Sequence, residues 1–144
     1  MESPIRIMFN ICKEVYEQKI SKEEGINKLV QTIKMNKGSA QMIVSQIFPQ
    51  LLDGARFTRT LSVKLFEDFL KFIYEDFGAE KLKLSLSGLR KHIEYSREKG
   101  DAKIKLGKVY EHYLKYTEID LKISFKDRKE QDEISIYLKK TKTI

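Results

Sequence analysis

Apolar residues recur every three or four positions from Pro4 to about Tyr116, and this period restricts the fold more than any other feature of the sequence. It places one apolar stripe along each stretch, as in amphipathic α-helices that share a core. Turn and capping residues divide the pattern into six stretches. These predict helices over residues 4–18, 21–35, 40–52, 62–77, 79–99 and 103–116.

Local signals define several of the predicted helix ends. Ser21 and Glu24 have the spacing of a capping box, in which each side chain bonds the other residue's backbone amide. Ser62 can cap the fourth helix, and Gly78 is its natural stop. Pro49 should kink or end the third helix, because proline has no amide hydrogen to donate.

The fourth predicted helix carries apolar residues on nearly two of its faces. A helix of that kind is normally the most buried one in its domain, so it is predicted to be central. Its apolar residues are Leu65, Phe66, Phe69, Leu70, Phe72, Ile73 and Phe77.

The apolar period changes to two near Thr117. Alternating apolar residues over 119–125 and 134–138 predict two strands, which could form a hairpin packed on the helices or on another chain. The predicted fold class is therefore mainly α: a compact bundle of about six helices (residues 1–116) with a two-stranded β appendage and a basic tail (residues 117–144).

Composition narrows the class of protein. A chain of 144 residues can bury a core without disulfides or metals, and its single cysteine, Cys12, cannot form an internal disulfide. A reducing, cytoplasmic location is predicted. No targeting segment is recognised near Met1, and no apolar run is long enough to cross a bilayer, so no membrane association is expected.

The sequence offers little material for catalysis. His92 and His112 lie on different predicted helices and are expected at the surface or its boundary, and no zinc-binding or glycine-rich phosphate motif occurs. The apolar neighbours of Cys12 favour a buried hydrophobic role and disfavour a Cys–His dyad. We therefore expect no enzymatic activity, no metal site and no cofactor.

The chain is basic, with a net charge of +7 and a pI of about 9.3. Such a balance favours an acidic partner, of which nucleic acid is the most common. The positive excess is spread evenly along the sequence, so a basic face could arise only by folding. A lysine-rich, well-solvated surface is the alternative interpretation.

The segment from Gly54 to Ser62 is the most informative one, because it places two arginines and several hydroxyls just before a helix. Arginine gives bidentate donors to phosphate, and a helix start favours an anion. The alternative is that Thr60 or Ser62 only caps the helix and that the arginines pair with acidic neighbours. The predicted phosphate-contact residues are Arg56, Thr58, Arg59, Thr60 and Lys64, with Arg90, Lys91 and the lysines of the tail as auxiliary charge.

Four short stretches share a pattern with a known group of domains. They are Met35–Ala40, Leu52–Thr60, Ile73–Gly78 and Leu89–Tyr95. Together they resemble a helical domain found N-terminal to HNH-type endonucleases in bacterial restriction systems, over roughly residues 20–96. The resemblance implies target recognition or assembly beside a separate nuclease. Two departures stand out: the HNH signature itself is absent, and Phe57 replaces an expected tyrosine.

These observations lead to two functional hypotheses. The first is a non-catalytic DNA-binding or target-recognition module of a restriction or defence system. The second is a protein-interaction module, such as an adaptor, an inhibitor or an oligomerisation domain in a bacterial or phage defence conflict. In the second case a protein partner or another copy of the chain would bind the C-terminal hairpin through its exposed strand edges.

Overall fold

Six helices follow one another in the computed structural model, which describes residues 2–115 and 117–118. They are α1 (Pro4–Tyr16), α2 (Lys22–Ile33), α3 (Lys37–Met42, a π-helical turn Ile43–Ile47, and Phe48–Leu52), α4 (Val63–Phe77), α5 (Ala79–Glu98) and α6 (residues 104–115). The predicted mainly helical fold is confirmed, and this part of the chain contains no strand. Residues 117–118 are helical, and the rest of the predicted hairpin and tail lies outside the described residues.

Serine side chains cap the first turns of α1, α2 and α4, and the caps of α2 and α4 are the predicted ones. Ser3, Ser21 and Ser62 each accept a hydrogen bond from the backbone amide three residues later, at 3.1–3.2 Å. Each cap satisfies one of the amides that a helix leaves unbonded in its first turn. Gly78 ends α4 with a positive φ of 95°, a backbone conformation that favours glycine.

Pro49 lies inside α3, which continues to Leu52. Proline cannot donate the amide hydrogen bond that an α-helix needs at that position. The turn just before it widens to π geometry, and the amide of Phe48 donates to the carbonyl of Ile43 instead. The helix thus accommodates Pro49 and ends three residues after it.

A cluster of phenylalanine rings forms the centre of the core. Phe9 of α1, Phe48 of α3 and Phe69 of α4 are fully buried and meet edge to face, with ring centroids 5.3–5.8 Å apart. This geometry is the one that aromatic quadrupoles favour. Phe66, Phe69, Leu70 and Ile73 of α4 are all buried. The prediction that this helix is the most buried one is wrong, because α3 and α5 each contain more buried residues.

An ion cluster ties α1 to the end of α4. Arg6 and Lys13 of α1 both bind the carboxylate of Asp76, at 2.7 and 3.1 Å, and the Asp76 side chain is only 12% exposed. The Arg6 guanidinium also lies 4.5 Å from the Phe72 ring centroid, and the Lys13 ammonium lies 5.3 Å from that of Phe77. Burial raises the pKa of Asp76, but the hydrogen bonds and charges of Arg6 and Lys13 outweigh burial and leave that pKa below its ordinary value.

None of the helices in the described part of the chain is long and apolar enough to cross a membrane.

Candidate nucleic-acid interface

Residues 55–62 form the connector between α3 and α4 and have no regular secondary structure. Phe57 anchors the connector, because its side chain is only 1% exposed while its neighbours Arg56 and Thr58 are exposed. The Phe57 ring stacks on the imidazole of His92 from α5, with centroids 4.4 Å apart and planes 11° apart. A buried aromatic residue therefore fixes a segment whose polar side chains face the solvent.

The predicted surface position of His92 is wrong, because the structure buries this residue completely. Its Nδ1 lies 2.9 Å from the carbonyl oxygen of Phe57, and its Nε2 lies 3.3 Å from the Thr60 hydroxyl. Burial lowers the pKa of His92 below its ordinary value of 6.5, the hydrogen bond to the Phe57 carbonyl opposes that shift, and the charge of Lys103 adds to it. His92 is thus a neutral residue that contacts the connector at two points, Phe57 and Thr60.

Glycine lets the start of the connector lie directly on α5. A Cβ atom at Gly88 would come within 3.1 Å of backbone atoms of Gly54 and Ala55, so a larger residue would force the two segments slightly apart. Gly54 itself has a positive φ of 70°. One turn further along α5, the Lys91 ammonium donates to the Gly54 carbonyl at 2.9 Å. The turn and the helix are therefore joined by backbone packing and by a lysine.

Two cations converge on the ring of Tyr95, which lies on α5. The guanidinium of Arg56 is 5.2 Å from the ring centroid, and the ammonium of Lys99 is 5.7 Å from it. Both distances are within the range of cation–π attraction. Neither side chain has a carboxylate within ion-pair distance among the described residues. The ring thus has two cations near it that no carboxylate of the described residues neutralises.

Arg59 of the connector and Lys91 of α5 are also exposed and have no ion-pair partner within residues 2–115 and 117–118. We call Arg56, Arg59, Lys91 and Lys99 the connector cations. Arg56 and Arg59 were predicted as phosphate contacts, and Lys91 was predicted as auxiliary charge. Lys99 was missed, although it follows Tyr95 by four residues, a spacing that brings side chains together on one helical face.

The other predicted contact residues differ in their surroundings. Lys64 pairs with Asp68 at 3.1 Å and Arg90 pairs with Glu94 at 3.5 Å, so their charges are partly neutralised. The Thr60 hydroxyl donates to the Leu61 carbonyl at 3.2 Å and lies 3.4 Å from the ammonium of Lys103. Thr58 is exposed in the connector. Of the two residues that could have capped α4, Thr60 and Ser62, the cap is Ser62.

The described residues do not meet the requirements of a metal site or of a reactive thiol. No group of three His, Cys, Asp or Glu side chains there could hold a metal ion. Cys12 is buried, and burial raises the pKa of its thiol to about 12, which keeps it protonated and unreactive.

Comparisons with protein-family models, curated proteins and solved structures found no match to this chain. The resemblance to helical domains of HNH-type endonucleases therefore stays a prediction.

Proposed function

We propose that this chain is a non-catalytic DNA-binding module that contacts the phosphate backbone through the connector cations. The observation that carries the proposal is the convergence of Arg56 and Lys99 on Tyr95 without a neutralising carboxylate among the described residues. Two like charges held near one ring repel each other, and a phosphate between or beside them relieves that repulsion. An anionic backbone supplies such phosphates at regular intervals.

The architecture around these cations supports the same proposal. The connector is fixed by Phe57 and His92, and Lys91 is fixed by its hydrogen bond to Gly54. Cations that are already held in place lose less conformational freedom when they bind a ligand. Arginine adds bidentate hydrogen bonding to phosphate oxygens, which Arg56 and Arg59 can provide.

Phosphate contacts set the position of a protein on DNA but do not read its sequence. The connector cations should therefore bind different duplexes about equally. In a restriction or defence system, which the resemblance implies, such a module would hold DNA beside a separate nuclease. The protein-interaction hypothesis is the alternative to this proposal.

The test compares two double variants that remove the same amount of charge. Arg56→Ala/Arg59→Ala removes two connector cations, whereas Lys64→Ala/Arg90→Ala removes two cations that already have carboxylate partners. Fluorescence anisotropy with a labelled duplex at low salt should show at least a tenfold loss of affinity for the first variant and a loss below threefold for the second. We expect this difference because Asp68 and Glu94 already neutralise part of the charge of Lys64 and Arg90.

Two outcomes would contradict the proposal. Equal losses in both variants would show that only net charge matters and that the connector is not a site. Wild-type protein that binds no DNA at low salt would exclude the DNA-binding function and favour the protein-interaction alternative.

A further inference from the structure

A polar groove of about 610 Å³ lies beside Arg59, between α2 and the first half of α3. Two of its lining side chains, Ile26 and Met42, are apolar and partly buried. Most of the others are polar, and none of the described lining residues is acidic. The polar set includes the three amides of Asn36, Gln41 and Gln46 and the guanidinium of Arg59.

This combination of groups matches the chemistry of a nucleobase. A base has apolar faces, which Ile26 and Met42 can contact, and edges that carry donors and acceptors. Amide side chains carry both a donor and an acceptor, and they pair in bidentate fashion with adenine. The side chains of Gln41 and Gln46 are exposed and have no hydrogen-bond partner within the described residues, so both amides are available for such pairing.

The position and size of the groove match a nucleotide within a strand. Its volume is within the range of small-ligand sites. Arg59 belongs both to the groove and to the connector cations, so a base in the groove would have its phosphate next to that cation. Ser45 also lines a larger groove of about 820 Å³, so the two grooves adjoin along α3.

We propose that this groove binds one unpaired nucleotide of the DNA, with the base between Ile26 and Met42, the base edge at Gln41 and Gln46, and the phosphate at Arg59. The inference rests on the proposed DNA-binding function and extends it from a bound backbone to a preferred structure of DNA. The preferred ligand is a strand with an unpaired base, because a base within an intact duplex is stacked and cannot enter the groove.

The experiment uses two labelled probes of the same sequence, an intact duplex and the same duplex with one central unpaired adenine. Wild-type protein should bind the bulged probe about tenfold more tightly at low salt, as expected for one base-edge contact. Gln41→Ala/Gln46→Ala should lower the affinity for the bulged probe about tenfold and change that for the intact duplex less than twofold. Gln31→Ala, an exposed amide of α2 outside the groove, is the matched control and should change neither affinity.

The outcomes separate this inference from the proposed function. Wild-type protein that binds both probes equally, or a preference for the bulge that survives Gln41→Ala/Gln46→Ala, would overturn the groove assignment and leave DNA binding in place. Wild-type protein that binds neither probe would overturn both. Circular dichroism of each variant shows whether the helical fold is retained.

Discussion

Two regions of the molecule hold pairs of cations against aromatic rings, but only one of them neutralises the charge. In the ion cluster, Arg6 and Lys13 share the carboxylate of Asp76, and all three side chains are at most 28% exposed. At the connector, Arg56 and Lys99 both lie within cation–π distance of Tyr95 and have no carboxylate partner in the part of the chain that the structure describes.

The difference separates structural charge from charge that is available for binding. A buried cation without a partner is costly, so Arg6 and Lys13 need Asp76 to remain in the folded state. An exposed cation is well solvated and contributes little to stability, so Arg56 and Lys99 can serve another purpose at small cost. The same residue types at similar distances from a ring therefore have different expected effects when they are substituted.

The largest expected loss of stability comes from substituting an aromatic residue next to each of the two regions. Phe69→Ala should lower the free energy of unfolding by about 3–5 kcal/mol, because Phe69 is fully buried and packs on Phe9, which in turn contacts Arg6. Tyr95→Ala, the aromatic residue of the connector side, should cost roughly 1 kcal/mol because it is only half-buried. Urea unfolding of both variants measures the two values. Similar losses would show that the two regions are equally part of the core.

A smaller loss is expected from the carboxylate of the ion cluster. Asp76→Ala should destabilise by roughly 2 kcal/mol, because it leaves Arg6 and Lys13 partly buried without their partner. Glu94→Ala is the matched control, since its pair with Arg90 is exposed, and it should cost less than about 0.5 kcal/mol. Chemical denaturation near neutral pH compares the two. A loss for Asp76→Ala as small as that of the control would contradict a structural role for the cluster.

The dependence of stability on pH should report on the buried histidine behind the connector. Because burial lowers the pKa of His92 in the folded state, the unfolded chain binds a proton more readily. The stability that the neutral form of His92 contributes should therefore be fully present above the unfolded pKa of about 6.5, and it should fall as the pH drops below that value. Urea midpoints between pH 7.5 and 5.5 test this direction.

Variants of the two histidines provide the control for that measurement. His92→Gln should be less stable at neutral pH and should show a weaker pH dependence over the same interval. His112→Gln should keep the wild-type dependence, because His112 is exposed. An unchanged pH dependence in His92→Gln would show that other groups produce the effect.

The smallest expected effect on stability is that of the connector cations themselves. Arg56→Ala/Lys99→Ala should change the free energy of unfolding by less than about 0.5 kcal/mol, as for most exposed substitutions. Arg6→Ala/Lys13→Ala removes the same charge from the ion cluster and should be clearly more destabilising, because Asp76 then lacks both partners. Thermal unfolding of the two variants checks the order, and a reversed order would refute the comparison.

Much of this fold follows from local sequence. The helix starts at Ser21 and Ser62 and the stop at Gly78 depend on residues within one turn of each end, and all three were predicted. Only one of the two hydrogen bonds of the predicted capping box forms. The Glu24 amide donates to the Ser21 hydroxyl, but the Glu24 carboxylate pairs with Lys28 at 3.9 Å. The exposed Lys28 side chain competes for that carboxylate, which the box pattern does not reveal.

The parts that could not be predicted depend on contacts between distant segments. His92 is buried because the carbonyl of Phe57, 35 residues earlier, accepts its hydrogen bond. Periodicity along α5 marks His92 as polar but says nothing of that partner. The convergence of Arg56 and Lys99 likewise requires the connector to lie on α5, which in turn depends on the small size of Gly88. The candidate site was therefore predicted in its residue types but not in its arrangement.

The most direct test of the central claim is the salt dependence of DNA affinity for wild type and for Arg56→Ala/Lys99→Ala. Each phosphate contact contributes about one unit to the slope of log affinity against log salt concentration. If the unneutralised cations bind phosphate, the double variant should have a slope that is flatter by about two units, for every duplex sequence. A slope equal to that of wild type would contradict the claim.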